Sequence, residues 1–489
     1  MASTDDVLSS SEAGGRVIRG SAWRVGGNAA GIVAGLATAT LLLRHLGVVE
    51  SGRYVTVLSL VAIAVSVADA GLNVSGSREL ALRRPEDRRA LIANLLGQRL
   101  SIMPIALLVI VAFAVLVGYP ASMVAGTALA GTGLFIVALA NALLLRLTVE
   151  LRNAGLAFVD FLKQLITLAG VALLVLLGSH LTPFFAIQIV VGLIVVAVTP
   201  LLVGWRDALV LPRFDRAEQR VLLTRALPVA AAIVLGNVYF RLVIVLMSLI
   251  SAPRQTGYFG GSLRAMETLV SIPILVAGVA LPLLAAAARD DRARLRYAIE
   301  GLGEGAVVAG VLVWLVTARA AEPVMAIIGG PAFRPAGAVL RIQVGALMFI
   351  ALYQIWTAAL IALGRQRELI LTNTLGLVGV AVFAVVLVPL FGAKGGAAAS
   401  VLGDALLACL IYWRLHGAGV RVAMRIGFLA RVVVAAGVAS AALLFPGLPD
   451  LLAAALAGVL FIGVGHLIGM LPEELRDALG PRRLGRRRR

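Results

Sequence analysis

Cysteine is nearly absent from this chain of 489 residues: Cys409 stands alone in an apolar run, so an internal disulfide and a thiolate metal cluster are both excluded. The four histidines, His45, His180, His416 and His466, are far apart in sequence and lack metal-ligand spacing. Lysine is almost missing too, since Lys163 and Lys394 are the only two among 43 basic residues. Charge of any kind is scarce, at 14% of residues where a soluble chain carries about 25%. What remains is apolar: 61% of residues are hydrophobic and the mean hydropathy is +1.00. That is far more than one or two soluble cores can hide, and it excludes a large soluble domain. The composition predicts an all-α polytopic membrane protein, because a span needs about 20 apolar residues and about 14 spans would use most of the chain.

Apolar runs place helices near 22–43, 55–74, 93–118, 122–145, 155–178, 182–204, 228–250, 258–284, 298–317, 337–363, 368–390, 395–413, 423–445 and 451–470. The net charge of +18 would suit nucleic acid, but its distribution argues for a membrane. Arginines crowd alternate connections: Arg78, Arg83, Arg84, Arg88 and Arg89; then Arg206, Arg213, Arg216, Arg220 and Arg225; then Arg289, Arg292, Arg294 and Arg296. About 30 of the 43 basic residues fall on this side and about six on the other, which makes these connections cytoplasmic and puts both termini inside. The first 20 residues lack the pattern of a cleaved signal peptide. At the other end, Arg482, Arg483 and Arg486 to Arg489 form a basic tail suited to anionic lipid headgroups.

The chain also matches itself at an offset of 204: Tyr54 falls on Tyr258, Asp87 on Asp291, Arg88 on Arg292, Leu91 on Leu295 and Gly97 on Gly301. Six spans per copy is an even number, so the copies share orientation about an axis along the membrane normal. The expected organisation is a cytoplasmic segment (1–20), a first six-helix lobe (21–210), a linker (211–225), a second six-helix lobe (226–416), two further spans (417–472) and a basic tail (473–489).

Ionisable residues inside spans single out the candidate site, because a charge at mid-span costs roughly 2.5 to 3.5 kcal/mol and needs a cavity or a partner. Arg241 lies midway along the seventh span, where it serves either a cavity or a structural ion pair. Arg264 and Glu267, three apart on one helix face, are placed to neutralise each other while Arg264 can still donate to a ligand. Asp160 and Lys163 have the same spacing. Arg24, in the first turns of span one, reaches either the cavity or the cytoplasmic headgroups. Asp69 can pair with Arg99 or Arg78 to close the cytoplasmic side, or simply end its helix. Asp404, between Gly403 and Ala405, marks either close helix packing or proton or cation coupling. Pro273 and Pro282 favour kinks in span eight. A cavity offering Arg241 and Arg264 attracts anions such as pyrophosphate, whose oxygens accept paired guanidinium hydrogen bonds, and repels cationic drugs.

Several stretches resemble the polysaccharide (O-antigen type) flippases of the multidrug, oligosaccharidyl-lipid and polysaccharide transporter superfamily. They are LLLRHLGVVESGRYVTVLSL (41–60), SVADAGLNVSGSRELA (66–81), TGYFGGSLRAMETLVSIPILVAGVALPLLA (256–285) and the run from GGPAFRPAGAVLRIQVGALMF onward (329–400). The resemblance implies two six-helix lobes around a central cavity that opens alternately to each side. It further implies a flippase carrying an undecaprenyl-pyrophosphate-linked oligosaccharide across a bacterial inner membrane, with membrane lipids as the other partner and no cofactor or nucleic acid. Coupling to a proton or sodium gradient is left open. One departure stands out: such proteins often carry an aromatic, an arginine and an aspartate at alternate positions of span seven, and here Tyr239 and Arg241 are followed by Val243. Related lipid II flippases line their cavity with arginines from spans one, two and eight, which by position implies Arg24, Arg53 and Arg264. Substrate contacts are thus expected from Arg24, Arg53, Arg241 and Arg264, and gating or ion coupling from Asp69, Glu267 and Asp404. The alternatives are a lipid II flippase and a drug/cation antiporter. An enzyme is disfavoured, because the longest external connection, about 318–336, carries only Arg319, Glu322 and Arg334 as charges.

Overall fold

A computed structural model of the chain describes residues 11–470 apart from 70–71, 151, 424 and 444–446, with side chains from residue 31 onward except at 74–75, 85, 153, 207, 225–226, 228–229 and 290. Every regular element among these is helical. In order they are α1 (Ser11–Asp69), α2 (Leu72–Leu82), α3 (Pro85–Leu116), α4 (Ala121–Val149), α5 (Asn153–Leu176), α6 (Leu181–Val203), α7 (Trp205–Ala208), α8 (Arg216–Ile250), α9 (Pro253–Asp290), α10 (Arg292–Gly329), α11 (Ala336–Gln343), α12 (Ala346–Ala362), α13 (Gln366–Gly417), α14 (Ile426–Leu443) and α15 (Asp450–Leu467).

Twelve helices among the described residues are long and apolar enough to cross a membrane, α11 and α12 counting as one. Two of the twelve are interrupted. In α1 the backbone leaves the helical region at Gly47 (φ 69°, ψ −173°), and in α13 at Gly392 (φ 56°, ψ −129°). Only glycine adopts such angles without strain. At 1.5 Å per residue the 52 residues of α13 would run about 78 Å, more than twice a bilayer's hydrocarbon core of about 30 Å. Length alone does not divide a helix, since α9 and α10 have 38 residues each and remain unbroken. The glycine break decides it: α1 and α13 each supply two crossings, and twelve helices give fourteen spans. After the second break, Gln255 of α9 accepts a hydrogen bond from the Ala393 N–H at 3.1 Å, satisfying a donor that the interrupted helix leaves open.

The chain divides into two compact units, Met1–Arg241 and Leu242–Arg489. In the first, α4 lies so close along α6 that a Cβ on Gly133 would run into the backbone of Gln188. Phe184 and Phe185 are fully buried there, and Phe185 stacks on Tyr54 at 5.2 Å. A leucine cluster of Leu72, Leu80, Leu91, Leu95 and Leu145 fills the arginine-rich end.

The second unit departs from the sequence reading at 318–336. Helix α10 continues to Gly329, so the connection is far shorter than its charges suggest. Two of those charges, Arg319 and Glu322, find partners from within the helix. Arg319 donates to Asp450 at 2.9 Å and to the Leu443 carbonyl at 2.6 Å, and Glu322 lies 3.5 Å from Arg341. The alanine-rich run between them favours helix. Gly458 of α15 packs against Val316 and Leu312 of α10, joining the last spans to this unit. Pro273 and Pro282 both lie inside α9, which runs through them without leaving helical geometry.

Candidate functional site

In the first unit, polar side chains from three helices and a backbone carbonyl from a fourth meet within an otherwise apolar interior. Arg99 of α3 has no exposed side-chain surface. Its Nη2 donates to Asp69 at 2.6 Å and to the Asn73 side-chain carbonyl at 2.8 Å, while its Nη1 donates to the Ala138 carbonyl of α4 at 2.5 Å. Asp69 also accepts from the Asn73 amide at 3.0 Å. This knot ties the end of α1 to α2, α3 and α4. Of the two partners weighed for Asp69, it is Arg99 that makes the contact.

Arg241 is half-buried on α8, and its Nη1 donates to the Ser59 hydroxyl of α1 at 3.4 Å. One turn earlier, Asn237 donates to Ser66 at 2.9 Å. Arg53 stands elsewhere, near the break in α1. It pairs with Glu50 at 2.6 Å beside a cavity of about 490 Å³ whose lining includes His45, Ser122, His180 and Thr182. His45 is held there by the Ser179 carbonyl at 2.8 Å. Arg24 belongs to α1, but its side chain lies outside the described residues.

Arg264, Glu267 and Asp404 belong to the second unit. Arg264 donates to Glu267 at 3.0 Å, as a spacing of three along a helix allows. Asp404 is buried in α13, at 6% exposure, within electrostatic reach of the Tyr353 phenol. Asp160 and Lys163, on α5 of the first unit, pair at 3.2 Å with the carboxylate exposed. No cluster of three or more histidine, cysteine, aspartate or glutamate side chains is placed to hold a metal ion among the described residues.

Sequence reasoning missed Ser59, Asn73 and Glu50, which complete these contacts. Glu50 carried a signal, three residues before Arg53 on a helical face. Ser59 carried none, since a serine in a span is common and its partner is 182 residues away. Arg241 in the first unit and Arg264 in the second each place a guanidinium, a group that suits oxyanions, within an apolar helix.

The fold is similar to that of a lipid II flippase, MurJ, in an inward-closed conformation, with a TM-score of 0.76 at 10% identity over 94% of this chain and 99% of the other. It is also similar to an inward-facing multidrug resistance transporter of the MATE family, with 0.63 at 14% identity over 80% and 95% of the two chains. The eukaryotic MATE transporter AtDTX14 gives 0.55 at 15% identity over 91% and 99%. At these identities the likeness establishes a shared fold. No curated protein sequence matches the chain. The family described as polysaccharide biosynthesis protein matches residues 17–288, more than half of the chain and all but the last two residues of α9. A multi-pass membrane protein with a transporter fold, the chain therefore belongs to the polysaccharide biosynthesis protein family.

Proposed function

We propose that this protein is a flippase that moves an undecaprenyl-pyrophosphate-linked oligosaccharide from the cytoplasmic to the outer leaflet of a bacterial inner membrane by alternating access. The observation that carries the reading is the family match over residues 17–288 on a transporter fold. The chemistry agrees. A pyrophosphate with its glycan cannot enter hydrocarbon without hydrogen-bond partners, and the lipid tail has no need to leave it. Arg241 and Arg264 would receive the head group, with Arg24 and Arg53 as further cationic contacts along its path. Asp69, locked onto Arg99, would act as a gate at the arginine-rich end, and Glu267 and Asp404 would respond to a proton or sodium gradient.

The test is translocation in reconstituted vesicles loaded with a polyprenyl-pyrophosphate glycan, read by a lectin confined to one side. Glycan appearing at the lectin side only with the protein present supports the reading. Movement of lipid II but not of the glycan would replace it with the lipid II flippase, to which fourteen spans also conform. Export of a cationic dye with neither lipid moving would replace it with an antiporter.

Sidedness is part of the proposal. The arginine-rich ends lie in the cytoplasm, with both termini inside. A cysteine introduced at 118–122 should therefore react with an impermeant reagent added outside intact cells, and one introduced at 83–89 should not. The opposite labelling pattern would invert the topology.

A further inference from the structure

Asn94 is fully buried near the start of α3, in the apolar run LIANLL, where a leucine would suit the packing. A buried carboxamide is costly unless it is hydrogen-bonded, and every bond that Asn94 makes through its side chain goes to one segment more than a hundred residues away. Its Nδ2 donates to Glu218 at 2.8 Å. Its Oδ1 accepts from the Asp215 N–H at 3.3 Å and from the Gln219 side chain at 3.1 Å. This segment is the connection into α8, and it is fastened at further points. The Arg213 N–H donates to the Ala93 carbonyl at 2.9 Å, and Arg89 donates to the Leu209 carbonyl at 3.2 Å. Glu218 pairs with Arg83 at 2.5 Å, and Leu222 is buried in the leucine cluster. Gly97 makes the approach possible, because a Cβ there would run into the Arg213 carbonyl. Its counterpart at the offset of 204, Gly301, has no atom of the described residues within 4 Å of where a Cβ would stand, so the close approach is not repeated there among them.

Higher on α8, two contacts reach α1. Asn237 is exposed, and the Arg241 contact to Ser59 is 3.4 Å long. The base of the helix is thus held by buried and charge-assisted bonds, and Arg241 is carried further along the same helix. From Glu218 to Arg241 is about 34 Å of helix, and a slip of one residue at the base would turn Arg241 by about 100° onto another face.

We infer that residues 209–222 form a latch that fixes the base of α8 to α3 and so sets the depth and rotation of Arg241, with Asn94, Gly97 and Glu218 as positioning residues. What Arg241 does rests on the proposed function; where the latch holds it does not. The experiment reads position directly. With Cys409→Ser as background, Ser66→Cys and Asn237→Cys are introduced and their disulfide yield is measured in membranes without substrate, so failure of the flippase reading leaves this result intact.

Gly97→Ala is the first probe, since alanine favours α3 itself while expelling the segment. The expected yield, taken per correctly inserted molecule at a temperature where the protein is folded, is below about a third of the parent's. Arg83→Glu should lower the yield similarly, and the swap Arg83→Glu with Glu218→Arg should restore at least about half of it, as coupled charges do. A yield unchanged by Gly97→Ala overturns the latch. So does a yield lost in Arg83→Glu and not recovered by the swap.

Discussion

Replacing Asp69 with alanine should remove about 3 to 5 kcal/mol of folded stability, because it strands a buried guanidinium. Arg99 has no exposed side-chain surface, and its only carboxylate ion-pair partner among the described contacts is Asp69 at 2.6 Å. The remaining acceptors, the Asn73 side chain and the Ala138 carbonyl, are dipoles and cannot replace a full charge. Asp69→Asn keeps an acceptor of the same shape and should cost less. The double change Asp69→Ala with Arg99→Leu should recover much of the loss, since removing both charges also removes their desolvation cost. Thermal unfolding of detergent-purified protein, with the amount inserted in membranes, measures all three. Unfolding of Asp69→Ala at the parent's temperature would show that the knot contributes nothing to folding. An Asp69→Asn protein that folds normally yet fails to flip lipid would instead assign the pair to gating.

How much of this was legible beforehand depended on how far apart the partners lie. Span number followed from hydropathy, because an apolar run of about 20 residues has few other places to go. Pairs three residues apart, Arg264 with Glu267 and Lys163 with Asp160, followed from helical spacing alone. The link between Asp69 and Arg99 was visible only as a choice, since Arg78 was an equal candidate until helix packing brought α3 against the end of α1. Asn94 and Glu218 were illegible as a pair. Nothing local connects residues 124 apart, although a lone asparagine inside LIANLL was a sign that some distant partner existed. The region 318–336 was misread for a related reason. Its charges argued for a loop, but Arg319 reaches Asp450 from within α10, a partner that no local pattern reveals.

Arg241→Ala should lower glycolipid translocation about 10- to 100-fold, the loss expected when one or two hydrogen bonds to a charged phosphate disappear at about 1.5 to 3 kcal/mol. Arg241→Lys should retain an intermediate rate, since lysine keeps the charge but loses the planar fork that binds two oxygens together. Ser59 provides the control. If Arg241 acts mainly by holding α8 to α1 through the Ser59 hydroxyl, then Ser59→Ala should reproduce the defect of Arg241→Ala. The contact is long, at 3.4 Å, so its removal is expected to leave the rate within about twofold of the parent. Rates must be taken per correctly inserted molecule, which separates weak flipping from poor folding. Flipping by Arg241→Ala at the parent rate would remove the cationic contact on which pyrophosphate recognition rests and would favour the antiporter. Equal defects in Arg241→Ala and Ser59→Ala would assign the arginine to the helix contact rather than to the substrate.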